Sequence, residues 1–223
     1  MLKFDLHLHS EYSEDGKGSP KEIIKVLKKK GFNGMALTDH NTLKGSIKAQ
    51  KIAPKDFTVI PGVEISTKVG HLIALDIDKP IKRGQTIEKS VDDVIGLGGI
   101  PIVPHLYRNM SGIKYENLKK ILNKISSIEV FNACSVPQTN LKTAKLAKKL
   151  NLGGTGGSDS HEPEYAGFGY TIIDSNDIKK DTILSEISKK KTWGEGTTLP
   201  TNYRTDRMIN STIQFFKRGL KRI

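Results

Sequence analysis

The sequence predicts an α/β chain whose strands close into a barrel, and three observations carry that expectation. Short β-branched or aliphatic runs alternate with lysine-bearing amphipathic stretches of ten or so residues through the first 195 positions. About seven such repeats fit into fewer than 200 residues, which favours a closed barrel over an open doubly wound sheet. No G-x-G-x-x-G follows the first apolar run, which counts against a dinucleotide-binding sheet.

In chain order, strands are predicted at residues 3–8, 34–37, 58–60, 71–77, 100–103, 127–131, 153–155 and 169–173. They read as strands covered on both faces, apolar rather than alternating. Helices are predicted at 20–30, 41–52, 86–97, 115–124, 139–150 and 181–190. The first shows the logic: Ser19 caps it, Pro20 fills the first helical position, and Gly31 stops it. Strand followed by helix, repeated, reads as parallel βα units. After residue 195 the character changes. Gly194, Gly196 and Pro200 mark a turn-rich link, and a helix is predicted from 206 to about 219. Residues 201–223 hold Arg204, Arg207, Lys217, Arg218, Lys221 and Arg222 against Asp206 alone. Met208, Ile209, Ile213, Phe216 and Leu220 form an apolar stripe, which predicts docking on the barrel; dimerisation and nucleic-acid contact are the other readings. The expected division is a barrel over 1–195 and a basic extension over 196–223.

Composition narrows the function classes. Hydrophobic residues are 36% and charged residues 27% of the 223, so a packed core forms and wholesale disorder is excluded. Cys134 is the single cysteine, which excludes a disulfide scaffold and suits a reducing cytoplasmic setting. No membrane span or secretory signal is found, so no membrane partner is expected. The formal charge is +12. That excess fits polyanions or phosphate-bearing substrates, and equally a solvated lysine surface.

The six histidines carry the functional signal. His7, His9, His40 and His105 fall at or just past the ends of strand-like runs, His71 opens one, and His161 follows a glycine-rich one. In a βα barrel the C-terminal rim of the strands is where chemistry is done. His7 and His9 are two apart on a strand, so their imidazoles share a face. Acids lie near four of the six histidines in sequence: Asp39 before His40, Glu64 before His71, Asp159 before His161, and Asp15 after His9. Mixed imidazole and carboxylate donors suit zinc, manganese or iron without choosing among them.

The segments HLHSEYSEDG, LTDHNT, IPGVEIS, GHLIAL, PIVPH and GSDSH resemble the motifs of the PHP (polymerase and histidinol phosphatase) family, in that family's order, over about residues 1–195. The tail resembles the short C-terminal extension of stand-alone members. The resemblance implies a distorted (β/α)7 barrel holding up to three divalent metals. It implies that His7, His9, Glu64 and Asp159 hold the first, that Glu64 is shared with a second held by His71 and His105, and that Asp15, His40 and His161 hold the third. One residue more than usual precedes Asp15, which leaves Glu14 as an alternative for the acidic role.

Clustered divalent ions make hydroxide available at neutral pH and clamp phosphoryl oxygens. The expected activity is therefore hydrolysis of phosphomonoesters of small metabolites or nucleotides by a metal-activated hydroxide. Arg108, three residues past His105, is placed to meet a phosphate, with a solvated loop arginine as the other reading. Asp159 and His161 are candidates for the leaving-group acid, against a coordinated water. Asp39 is expected to orient His40 or a loop backbone, Asn132 to be structurally satisfied, and Cys134 to be a small packed residue. Two alternatives stand beside this reading: a metal-dependent nuclease trimming short 5′-phosphorylated oligonucleotides, and a non-catalytic nucleic-acid-binding subunit, as in barrel relatives that lack the metal residues. Oligomeric state is left open.

Overall fold

The computed structural model describes residues 1–219, so Leu220, Lys221 and Arg222 lie outside the described residues. Nine strands form one sheet: β1 (Leu2–Leu8), β2 (Gly34–Leu37), β3 (Thr58–Ser66), β4 (His71–Leu75), β5 (Ile100–Val103), β6 (Ser127–Asn132), β7 (Gly153–Gly157), β8 (Gly169–Ile173) and β9 (Thr192–Gly196). Their order is β7-β6-β5-β4-β3-β2-β1-β8-β9, so seven run consecutively and two extend beyond β1. The helices are α1 (Pro20–Lys29), α2 (Lys44–Ile52), α3 (Ile87–Gly96), α4 (Tyr115–Lys119), α5 (Pro137–Lys149), α6 (Lys180–Ser188) and α7 (Thr201–Lys217).

Local chemistry explains the boundaries. Ser19 caps α1 in a reciprocal capping box with Glu22, and Pro20 opens the helix as its sequence predicts. The expected helix at 115–124 breaks into the short α4 and a 3-10 turn at Leu122–Lys124. The expected helix at 139–150 starts earlier, at Pro137, whose missing N–H suits a first turn.

The barrel expectation holds, with two corrections to its wiring. The first is direction: β4 is antiparallel to β3 and β5, and β8 is antiparallel to β1 and β9. Ser66 pairs with His71, leaving four residues between the strands, whereas a parallel return needs a crossover of about a dozen or more. Gly70 lets that turn pass close to its neighbours at a positive φ of 148°; a Cβ there would meet Ser111 O at 2.8 Å. The second correction is the stretch expected as a turn-rich link, which from Thr192 to Gly196 is instead the edge strand β9, laddered to β8. No helix among the described residues is long and apolar enough to cross a membrane.

The barrel closes where β7 meets β1. His7 O accepts from Asp159 N at 2.6 Å, and Ser160 O accepts from His9 N at 2.9 Å. Glycine makes the approach possible: a Cβ on Gly157 would lie 2.2 Å from the Cβ of His7. Phe4, Leu6, Ala36, Ile60, Ile73 and Ile102 pack with Ile183, Leu184 and Ile187 of α6, while Leu8, Leu37 and Met35 pack with Ile23 and Leu27 of α1. Leu6 and Leu8 are two apart yet belong to different clusters. The cause is an irregularity in the β1–β2 register between Asp5 and Leu8, and irregularities of this kind re-aim side chains beside sites.

The last helix corrects the expected docking. Met208, Ile209, Ile213 and Phe216 are exposed, and α7 rests on the barrel through its other face. Tyr203 is buried with its ring 4.1 Å from that of Tyr165, and Arg207 and Arg218 pair with Asp15 and Glu14. Polar contacts to the mouth outweigh the stripe.

The closure makes a stability prediction. Gly157→Ala should destabilise the protein by about 1–3 kcal/mol through forced overpacking against His7. Gly96→Ala, in α3 with nothing within 4 Å of its Cβ, should leave stability unchanged or raise it by up to about 1 kcal/mol. Urea midpoints of the two variants check the contrast.

Candidate metal centre

All six histidines of the chain meet at the rim formed by the C-terminal ends of the parallel strands. Five make a ring, with consecutive centroids 5.3 Å (His7–His9), 4.6 Å (His9–His40), 5.1 Å (His40–His71), 5.6 Å (His71–His105) and 5.5 Å (His105–His7) apart. The sixth, His161, stacks on His9 at 4.2 Å. Within the ring lies the Glu64 carboxylate. Its Oε2 is 3.3 Å from His7 Nε2, 3.3 Å from His9 Nε2 and 3.2 Å from His40 Nδ1. Its Oε1 is 2.8 Å from both His71 Nδ1 and His105 Nε2.

Different elements deliver these groups. His7 comes from β1 within its register irregularity, and His9 follows it at the seam. Glu64 lies on β3, and His71 sits across the β3–β4 ladder. His105 and Asp159 follow β5 and β7 with φ of 29° and 50°, a sparsely populated backbone region that recurs at functional sites. Asp159 Oδ1 stands 3.6 Å from His7 Nε2 and 3.4 Å from His9 Nε2. Asp15 reaches the far side, with Oδ2 3.2 Å from His161 Nε2 and Oδ1 3.9 Å from His40 Nε2. Glu14 is half exposed and pairs with Arg218, so the carboxylate facing the imidazoles is that of Asp15.

Outer contacts orient the rings. His7 Nδ1 lies 2.9 Å from Glu129 Oε1, His9 Nδ1 3.2 Å from Ser13 Oγ, and His161 Nδ1 3.0 Å from the Asp159 carbonyl. Ring protons satisfying Glu129 and the Asp159 carbonyl leave lone pairs on the inner nitrogens. His7 Nε2, His9 Nε2, His40 Nδ1, His161 Nε2 and Asp15 Oδ1 are all buried without a hydrogen-bond partner. Donors bound at 2.0–2.2 Å around one tetrahedral ion stand about 3.4 Å apart, close to the 3.3–3.6 Å spacings among His7, His9, Glu64 and Asp159. The donor set therefore fits divalent cations.

Four triplets bring ligand atoms within 4.8 Å of one another: His7–His9–Glu64, His7–His105–Asp159, His40–Glu64–His71 and His9–His40–His161. They cut across the sets implied by the resemblance. His7, His9 and Glu64 stay together, whereas His40 also joins Glu64 and His71, and His9 stands beside His40 and His161.

Electrostatics follow from burial and neighbours. Burial pushes the imidazoles of His105 and His161 down to about 4. Burial also opposes charging His9, but the adjacent carboxylates of Asp159 and Glu64 outweigh it and raise it to about 9. Burial disfavours the ionised carboxylates of Glu64 and Asp159 too; His71 and His7 beside Glu64, and Arg108 beside Asp159, nevertheless hold both well below the usual range.

The remaining candidates have definite partners. Arg108 donates to Asp159 Oδ2 and Asn132 Oδ1, each at 2.6 Å, and borders the cavity. Asp39 accepts from Ser10 N and Ser10 Oγ, holding the loop after β1. Asn132 is fully engaged, donating to Glu129 and Asp159. The Cys134 thiol donates to the Asp159 carbonyl at 3.3 Å, and burial pushes it up to about 12.

Two groups escaped the sequence reading. Glu129 is buried beneath the ring, binding His7 and the His105 N–H. It sits inside the apolar run SIEVFN, where a lone acid in mid-strand is the available signal. Arg207 reaches Asp15 Oδ2 at 3.0 Å from α7. No local pattern marks it.

Comparison with known proteins agrees with this architecture. A PHP domain family model matches residues 5–149, and a PHP-associated model matches residues 137–192. An uncharacterized protein of Methanocaldococcus jannaschii is 34% identical over 144 residues, 59% of this chain and 82% of that protein. A 5′-3′ exoribonuclease of Haemophilus influenzae is 42% identical over 83 residues, 34% of this chain and 30% of that protein. Among solved structures, a two-domain protein of Bacteroides vulgatus containing a predicted PHP-like metal-dependent phosphoesterase superposes with a TM-score of 0.75 at 18% identity, over 88% of this chain and 65% of that one. With 145 of its 223 residues inside the first match, the chain belongs to the PHP domain family.

Proposed function

We propose that this protein is a metal-dependent hydrolase of phosphate monoesters on small metabolites or nucleotides, with up to three divalent cations (zinc, manganese or iron) held by His7, His9, Asp15, His40, Glu64, His71, His105, Asp159 and His161. The observation that carries the reading is the set of buried, partnerless imidazole nitrogens turned toward shared carboxylates. Cations bound there would lower the pKa of a coordinated water from about 15.7 to roughly 7 and neutralise phosphoryl charge.

The chain's own groups do the rest. Glu129, Ser13 and the Asp159 carbonyl hold three rings in fixed orientation, so no reorganisation is needed during reaction. Arg108 balances the charge of Asp159 and presents its guanidinium to the cavity, where a phosphate oxygen can be met. His161, its imidazole pushed to about 4, is not a proton donor at neutral pH, and Asp159 is ionised. Both fit ligand roles better than the leaving-group acid.

A second reading is a nuclease on short 5′-phosphorylated oligonucleotides. The partial similarity to an exoribonuclease and the arginines bordering the cavity favour it.

Elemental analysis followed by assays on p-nitrophenyl phosphate, nucleotides and labelled RNA tests both readings. Turnover of monoesters with Mn²⁺, lost on chelation, is the expected result; a metal-loaded protein inert on every substrate would refute it. Activity confined to oligonucleotides and falling steeply with salt would select the nuclease. Asp159→Ala should lower turnover by at least about 10²-fold while far-ultraviolet circular dichroism stays native. Glu129→Gln should weaken cation affinity by about 10–100-fold in competition with a chelating dye.

A further inference from the structure

α7 crosses the mouth of the metal centre. Arg207, Ser211, Phe215 and Arg218 recur at intervals of four, four and three, so they share one helix face. Together with Arg108, Asp15, His40, Glu64 and Asp159 they border a single cavity of about 80 Å³. Sites that enclose a small organic ligand run to about 300–1,000 Å³, while one water's share of liquid is about 30 Å³. With α7 in this position the cavity takes a few waters and no phosphorylated metabolite.

The helix is held by contacts that can be exchanged. Arg207 Nη2 donates to Asp15 Oδ2 at 3.0 Å and Arg218 Nη1 to Glu14 Oε1 at 3.1 Å. The apolar stripe of Met208, Ile209, Ile213 and Phe216 already faces solvent, so displacing the helix uncovers none of it. Tyr203, packed on Tyr165, anchors the N-terminal end and leaves the rest to swing. Asp15 is claimed twice, by Arg207 and by the imidazoles of His161 and His40. A divalent cation on Asp15 competes with the guanidinium for the same oxygens.

We propose that Arg207 and Arg218 are phosphate-binding residues carried on a lid, α7, and that they exchange Asp15 and Glu14 for the phosphate of the entering substrate. This rests on reading the site as one that takes phosphate esters. Arginine suits the task because its planar fork meets phosphate oxygens in pairs. Arg108 stands on the same cavity, so a phosphate drawn in is met by guanidinium groups from the barrel and from the lid. Phe215 then faces the organic part of the ester.

The test is equilibrium binding of inorganic phosphate to the full-length, Mn²⁺-loaded protein and its Arg207→Gln and Arg218→Gln variants, with metal content measured in each. Hydrogen exchange of residues 201–218 is followed in parallel. Phosphate affinity should fall about tenfold in each variant at unchanged metal content, as expected for losing a charged hydrogen bond. Exchange in wild-type α7 should slow when phosphate is added. Wild-type phosphate affinity in both variants would overturn the proposal, as would α7 exchange indifferent to phosphate. Arginine-dependent phosphate binding in a protein that hydrolyses no ester would sustain the lid and sink the hydrolase reading. Ester hydrolysis with kcat and KM unaltered in both variants would do the reverse.

Discussion

One carboxylate organises this molecule. Glu64, 1% exposed, sits inside a ring of five imidazoles, and Asp159 closes the space from the opposite side of the seam. Such a group is costly to bury by itself, because charge leaves water and lone pairs face lone pairs. The arrangement is coherent only when positive charge sits among the donors, as protons in part and as divalent cations fully. The rest of the rim is built to that requirement: Glu129, Ser13 and Asp39 fix the rings and the loop after β1, and Arg108 offsets the charge of Asp159.

The barrel's closure and its site are the same piece of construction. The hydrogen bonds that join β1 to the segment after β7 come from His7, His9, Asp159 and Ser160, three of them proposed ligands. The small residues of β7 bring the two segments close enough for this, and the irregular register of β1 turns His7 and His9 to the common side. Perturbing the seam therefore perturbs the site.

Much of this was readable in the sequence because it obeys local rules. The two-residue period placed His7 and His9 on one face, and acids beside histidines at strand ends announced convergence on one rim. What escaped depended on contacts between distant segments. Glu129 reads as an interruption of an apolar strand until the β6 side chain is seen beneath His7. Trp193 and two glycines disguised β9, whose partner β8 decides its conformation. The direction of β4 was accessible through arithmetic, since the link after β3 is too short for a crossover. α7 departs from the rule that an apolar stripe ordinarily faces inward. Here two ion pairs and one buried tyrosine hold the opposite face down.

Anomalous diffraction from crystals grown with Mn²⁺ reports whether the imidazole ring holds metal. Manganese peaks are expected in the space bounded by Glu64, Asp159, His7 and His9, with further density beside His71 or His161. A difference map with no anomalous peak inside the ring, at a Mn²⁺ concentration that saturates the protein by solution titration, would show that the ring is not a metal site.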